Sequence, residues 1–352
     1  MKKLIYIIGV IILLSSCIED IPVGYLSDNI RMREDTVFAV KGIYKVSSAP
    51  LIDGSTRPLN FQIVNIRNAA TGEKVSSFDQ KYKIKVWKSP YNPDEDNTME
   101  KVQAKLDIVD ASPILMNTVS GQLALTGATI AIDAGVYILD AKVYNENNSK
   151  DLNNFSIIDL KYIPWEVERS FIEYIHGTLG TDAFKLVQDK TLSKDEMDKV
   201  KSNTNPNYSV KKVGESSDVK IKLIFLDANG EPFSGNAVAK WPDGSVYKNN
   251  WFENSVETNI LEDGVEFNFP TVPFPAFTRS KSENRSDISE SYYTLHPDYY
   301  RLTNEGKEIV ETFENKIGEK FTASNLRTKI TYQINDYGIW EVRVKFKYAL
   351  KN

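Results

Sequence analysis

Few residues are suited to catalysis. His176 and His296 are the only histidines in 352 residues and stand 120 positions apart, so a zinc centre or a Ser-His-Asp triad would have to form around one of them alone. A lone histidine is more often structural. No G-x-S-x-G elbow, G-x-x-x-x-G-K-[ST] loop or G-x-G-x-x-G fingerprint occurs, which disfavours nucleotide chemistry. Glycoside hydrolysis needs only two carboxylates at a set distance in space, a demand that 48 acidic residues leave open. Asp94-Glu95-Asp96-Asn97 gathers hard oxygen ligands and could hold calcium. Its spacing matches no calcium-binding motif, and a solvated acidic loop is the plainer reading. These patterns imply no cofactor, no metal and no catalytic residue.

Aromatic rings offer a different chemistry, since their flat faces meet the apolar C–H faces of sugars while nearby amides and acids bond the hydroxyls. Trp251 is the first candidate, because polar neighbours flank it in Lys248-Asn249-Asn250-Trp251-Phe252-Glu253-Asn254, unlike a core strand. Tyr292-Tyr293 and Tyr299-Tyr300 bracket the turn His296-Pro297-Asp298, Tyr91 lies between Pro90 and Pro93, and Trp241 precedes Pro242-Asp243-Gly244. Aromatic side chains also dominate cores, so one of each adjacent tyrosine pair is expected to point inward. Trp87 and Trp340, on alternating strands, are assigned to the core.

The thiol of Cys17, the one cysteine, has no internal partner for a disulfide. Before it come Lys2 and Lys3, an apolar run from Leu4 to Leu14, then Ser15 and Ser16. A charged start, a greasy middle and a small-residue cleavage site make a signal peptide. As a helix that run would reach about 16 Å, roughly half of a ~30 Å hydrocarbon core. Leu14-Ser15-Ser16-Cys17 resembles the bacterial lipobox, which implies acylation of Cys17 and cleavage before it. Several acyl chains, at about 0.8 kcal/mol per buried CH₂, would hold the mature chain to a membrane. Glu19 and Asp20, just after the cysteine, resemble in a short form the surface-export signal of Bacteroidetes lipoproteins.

The elements that must position the rings are strands. Loss of residues 1–16 removes Lys2 and Lys3, leaving 41 basic and 48 acidic residues and a formal charge of −7, which argues against nucleic acid as a partner. With 18 Tyr and 16 Phe against 5 Met, the composition favours strands. Lys81-Tyr82-Lys83-Ile84-Lys85-Val86-Trp87 alternates strictly, placing Tyr82, Ile84 and Val86 on one face. Similar alternation recurs at Leu59–Ile66, Val102–Ile108, Leu123–Ile132 and Val136–Val143, with turn residues between. Val219, Ile221, Leu223 and Phe225 form a further strand, and Trp340, Val342, Val344, Phe346 and Tyr348 form the clearest. Asn229-Gly230 predicts a hairpin turn. Ser193-Lys194-Asp195-Glu196 has a capping-box pattern, and Ile309, Val310, Phe313 and Ile317 make the apolar stripe of a helix over Thr303–Ile317 that ends at Gly318.

The expected organisation is a mainly β protein of two, or three, β-sandwich or Ig-like domains, the last carrying one or two short helices. Residues 1–16 are the signal peptide and 17–35 the lipidated start and tether. An N-terminal sandwich follows over 36–164 and a C-terminal β-rich domain over 165–352. The polar stretch from Asn145 to Asp151 reads either as a linker or as a hairpin loop, and Pro164-Trp165 is the better boundary.

Two resemblances add to this. Asp227, Gly230, Pro232, Gly235 and Val238 resemble the D-x-x-G-x-P-x-x-G-x-x-V pattern of Ig-like repeats in bacterial surface proteins. Cys17 with Pro22-Val23-Gly24-Tyr25-Leu26-Ser27-Asp28-Asn29-Ile30, continuing to Lys41-Gly42, resembles an uncharacterised Bacteroidetes lipoprotein family found beside Sus-type outer-membrane glycan importers. That resemblance implies lipid anchoring at the outer membrane, surface display and capture of glycan or another nutrient for an importer complex. It brings no binding residues and no catalytic motif. An adhesin or fimbrial subunit is the alternative, and a glycoside hydrolase the third.

Overall fold

The computed structural model describes residues 24–92, 95–176, 185–189, 206–240, 255–272, 289–317 and 324–352. Cys17, Trp241, Trp251 and the capping box at Ser193 lie outside the described residues. The fold is mainly β, as the alternation requires, and divides into two compact units. The first ends a stretch at Tyr82 and resumes over Asp110–Tyr162; the second takes Lys83–Val109 and everything from Ile163 onward.

In the first unit a four-stranded sheet runs in the order Thr36–Val40, Ser149–Lys161, Gly135–Tyr144, Asn60–Asn68. Thr36–Val40 is parallel to its neighbour and the other pairs are antiparallel. A small sheet of Lys45–Val46, Leu123–Leu125 and Ile114–Met116 contributes Leu123, Leu125 and Ile114 to the same core. Alternate residues of Gly135–Tyr144, namely Tyr137, Leu139, Ala141 and Val143, are buried there with Phe61, Ile158 and Leu160. The polar stretch after Tyr144 is the turn of a hairpin, closed by the Asn145 N–H donating to the Asn148 carbonyl at 2.9 Å.

Residues expected to be tether are partly structural. From Gly24 the chain lies on the first unit, with Ile30 and Met32 buried and Arg31 bridged to Leu51. Apolar side chains at 30 and 32 explain this, because each removes its surface from water only by joining the core.

The second unit has two five-stranded sheets. One runs Tyr208–Gly214, Gly338–Lys345, Val219–Leu226, Gly264–Phe269, Glu257–Leu261. The other runs Lys185–Asp189, Trp165–His176, Ser324–Ile334, Ser289–Leu295, Val238–Lys240. Their shared core takes Trp340, Val342, Val344, Val219, Ile221, Leu223 and Phe225 from the first and Tyr293, Leu295 and Leu326 from the second. The run that ends the chain is buried in alternation as far as Tyr348, although its strand stops at Lys345 and Ala349–Lys351 pairs with Tyr300–Leu302 instead. The helix Asn304–Ile317 lays Ile309 against this core.

The Asp227–Val238 motif can be explained residue by residue. The buried Asp227 carboxylate accepts the N–H groups of Asn229 (2.7 Å) and Glu231 (3.0 Å) on one oxygen and of Lys351 (3.2 Å) on the other. Gly230 takes φ +88°, which a side chain would resist. A Cβ on Gly235 would stand 2.1 Å from the Gly264 carbonyl, so the backbones can meet only without one. The hairpin read at Asn229-Gly230 is a tight turn closed by one bridge, Leu226 to Pro232, because Val219–Leu226 takes both of its strand partners elsewhere.

Two strand readings are corrected. Val102–Ile108 is split between a helix, Met99–Gln103, and a strand, Leu106–Ala111. The Thr98 side chain accepts the Lys101 N–H at 3.3 Å and so starts the helix as an N-cap. Leu123–Ile132 is strand only to Leu125, since the Thr126 hydroxyl accepts the Ala128 N–H and turns the chain into a 3₁₀ segment, Gly127–Ala131.

Candidate functional site

Tyr82–Trp87 and Leu106–Ala111 pair as a two-stranded ribbon, and the segment between them carries the helix Met99–Gln103. Lys85 anchors the ribbon within the second unit. Its ammonium donates to the Ser217 carbonyl (2.7 Å), an Asp218 carboxylate oxygen (2.6 Å) and the Pro270 carbonyl (2.9 Å). Gln103 donates to the other Asp218 oxygen at 3.3 Å, and the Glu257 carboxylate accepts the Met99 N–H at 2.8 Å. A carboxylate at a helix start satisfies an N–H with no partner inside the helix.

Beyond this anchor the ribbon presents an aromatic corner. The rings of Trp87 and Tyr91 lie 6.0 Å apart, centroid to centroid, with planes at 57°, and both residues are half-buried. The loop that carries Tyr91 is held from inside. The Lys105 ammonium donates to the Pro90 carbonyl (2.9 Å) and to Asp96 (2.6 Å), while the same Asp96 oxygen accepts the Asn92 N–H (2.6 Å). The Asn92 N–H, then Lys105, holds the Asp96 carboxyl below its ordinary range. Burial, with the negative Asp96 nearby, pushes the Tyr91 hydroxyl up, so Tyr91 stays a neutral phenol. Lys101 donates to the Glu95 carbonyl (3.0 Å) and the Asn97 side chain (2.9 Å). Asp96 is buried, so its carboxylate braces the loop that carries Tyr91 from within.

Trp87 was assigned to the core, and the structure corrects this. A two-stranded ribbon has no second sheet over each face, so its alternation gives half-burial rather than burial. The sign was legible in the parity, because Trp87 shares its side of the strand with Lys83 and Lys85, opposite Tyr82, Ile84 and Val86.

The other aromatic candidates are scattered. Tyr293 is wholly buried, with Phe225 at 6.4 Å and Phe267 at 6.1 Å, and Tyr300 is buried at the start of a short strand; neither offers a face to a ligand. Each was a ligand candidate, and each is drawn inward because it is the member of its pair on the core side of its strand. Tyr292 lies in Ser289–Leu295, with its side chain outside the described residues. Tyr299 is 37% exposed and meets His296 edge to face at 5.9 Å. His296 has a structural task, accepting the Asp298 N–H on Nδ1 at 3.3 Å to cap a 3₁₀ turn. Asp96, one of the loop acids considered for calcium, is engaged by Lys105, and among the described residues no group of three His, Cys, Asp or Glu side chains is placed to hold a metal. An open groove of about 620 Å³ lined by Ser209, Lys211, Val213, Glu341 and Arg343 lies on a sheet face but has no aromatic ring in its lining.

No protein-family model and no curated protein matches the sequence. Among solved structures, the chain is similar to a SusE-like surface located polysaccharide binding protein from the Bacteroides thetaiotaomicron heparin utilisation locus, at TM-score 0.23 and 9% identity over 90% of this chain and 53% of that one. This chain thus spans about half the length of that protein. It is also similar to the EC3-6 region of protocadherin gammaB7, at TM-score 0.20 and 7% identity over 90% and 73% of the two chains. The N-terminal four Ig domains of Dscam1 follow at TM-score 0.18 and 8% identity over 92% and 73%. None of these likenesses assigns a ligand or a residue role to this chain. Among the described residues no helix is long and apolar enough to cross a membrane.

Proposed function

We propose that the protein is a non-catalytic lipoprotein of the outer membrane, displayed at the cell surface, which binds glycan or another nutrient for an import system. The binding half of this reading rests on one observation, the Trp87–Tyr91 aromatic pair, with Tyr91 on a loop braced by Lys105 and Asp96. The address rests on the run from Lys2 to Cys17, with Cys17 as the acylated first residue of the mature chain. Tyr91 and Trp87 are tested before Trp251, because their two partly buried rings lie side by side, with Tyr91 on a braced loop.

The test is electrophoresis of residues 18–352 through native gels cast with a panel of polysaccharides, with released reducing sugar assayed in the same mixtures. Retardation without sugar release, lost in Trp87→Ala and weakened in Tyr91→Ala, is the expected result. Retardation unchanged in both variants would remove the corner as the site, and Trp251→Ala would then be the next variant. No retardation on any polysaccharide would remove the glycan reading and leave the adhesin or fimbrial subunit, which self-assembly of the purified chain would favour. Sugar release would make the protein a glycosidase.

A further inference from the structure

The first unit takes hold of the chain very soon after the cysteine. The Gly24 carbonyl accepts the side-chain amides of Asn145 (3.1 Å) and Asn148 (2.8 Å), and the Tyr25 carbonyl accepts the Thr56 N–H at 2.8 Å. Ser27 follows with its N–H on the Ser55 hydroxyl (2.9 Å) and its own hydroxyl on Asp53 (2.7 Å). The Lys150 ammonium donates to the Ser27 carbonyl at 3.1 Å and pairs with Asp28. The approach is close enough that a Cβ on Gly24, at φ +84°, would stand 2.5 Å from the Asn147 Cβ.

Seven residue steps separate Cys17 from Gly24. A fully extended chain covers at most about 3.6 Å per residue, so those steps reach no further than about 25 Å. The strand Gly135–Tyr144 leads away from the Asn145–Asn148 turn, and its ten residues at about 3.3 Å each put its other end some 30 Å off. At that far end the Ala69 N–H donates to the Val136 carbonyl, which places the turn after Asn68 there.

We infer that the end of the first unit formed by Gly24–Ser27 and the Asn145–Asn148 turn is its membrane-proximal end, held within about 25 Å of the lipid surface, while the turn after Asn68 is the end free to stand further off. This rests on the proposed acylation of Cys17. A lipid on that residue leaves a leash shorter than the unit is long, so the attached end stays near the bilayer whatever the unit's tilt. The occupant of this surface is the bilayer itself, chosen by the position of the anchor rather than by an apolar patch.

The experiment uses the full chain, matured in a lipoprotein-processing host and reconstituted in vesicles that carry an acceptor dye on a lipid headgroup. Donor dyes are placed singly at Glu146→Cys, in the near turn, and at Ala70→Cys, in the far one; both positions are exposed. Acylation consumes the Cys17 thiol, so unsubstituted protein should take no dye and should float with the vesicles. If it takes dye and does not float, the anchoring reading fails before the orientation is tested. If it floats, energy transfer from position 146 should exceed that from position 70 by about twofold or more, given the additional 30 Å or so at the far end. Inserting about ten Gly-Ser residues after Asp20, worth roughly 16–19 Å of reach, should lower transfer from position 146. Equal transfer from the two positions, or more from position 70, in protein that floats overturns the inference.

Discussion

Two strands carry the same strict alternation and meet opposite fates. In Gly338–Lys345 the indole of Trp340 is 2% exposed and donates to the Asp336 carbonyl at 3.2 Å. In Tyr82–Trp87 no residue is fully buried, and Trp87 is partly buried against Tyr91. The strands alternate alike, but Trp340 lies on the apolar side of its strand while Trp87 shares a side with Lys83 and Lys85, and the layering differs as well. Gly338–Lys345 is the second of five strands, with Tyr293, Leu295 and Leu326 of another sheet packed on its apolar side. Among the described residues Tyr82–Trp87 has a single strand partner. An alternating strand therefore reports which side chains share a face, while the number of layers decides whether that face becomes core or stays available for binding.

The comparison can be broken most sharply by truncating both indoles. Trp340→Ala should cost about 3–5 kcal/mol of unfolding free energy in urea, by loss of a large buried ring and the cavity it leaves. Trp87→Ala should cost about 1 kcal/mol or less while abolishing whatever the corner binds. Equal costs would mean that the ribbon is as much core as the sheet. Asp227→Ala should fall next, at about 2–3 kcal/mol, because three backbone N–H groups lose a buried acceptor. The same denaturation series reads it.

Lys85→Ala tests the anchor of the ribbon. With its ammonium gone, the amides of Tyr82–Trp87 should exchange hydrogen faster, and the global midpoint should move by only about 1 kcal/mol. Exchange that stays unchanged would show that Glu257 and Gln103 suffice. The smallest effect is expected from pH at Asp96. A carboxyl held below its ordinary 3.8 stabilises the folded loop at every pH above that value and loses the contribution as the pH falls through its lowered folded-state value. Tryptophan fluorescence should therefore stay flat between about pH 5 and 8 and change only below about 3.8, and Asp96→Asn, which mimics the protonated acid, should shift the neutral spectrum toward the acid one and remove the further change.

Much of the fold was open to reading along the chain. Period-two runs at 136–143, 219–225 and 340–348 identified the buried faces, because a pleated strand sends alternate side chains to opposite sides whatever packs on them. The turn at Asp227–Glu231 and the helix Asn304–Ile317, whose Ile309 meets the core, were legible because their signals are local. Val102–Ile108 and Leu123–Ile132 misled, since a threonine that caps a helix or a 3₁₀ turn competes with the strand pattern around it and wins where its hydroxyl finds an N–H.

The sequence by itself determined the β class, the acidic charge and the buried faces of the runs at 136–143, 219–225 and 340–348. All of these follow from local pattern or composition. Only the tertiary structure decided that residues 83–109 join the second unit, that Trp87 meets Tyr91, that Tyr293 and Tyr300 turn inward, and that the chain is bound to the first unit from Gly24. Those outcomes depend on which distant groups come together, such as Lys85 with Pro270 or Gly24 with Asn148, and periodicity along a chain carries no information about its partners in space.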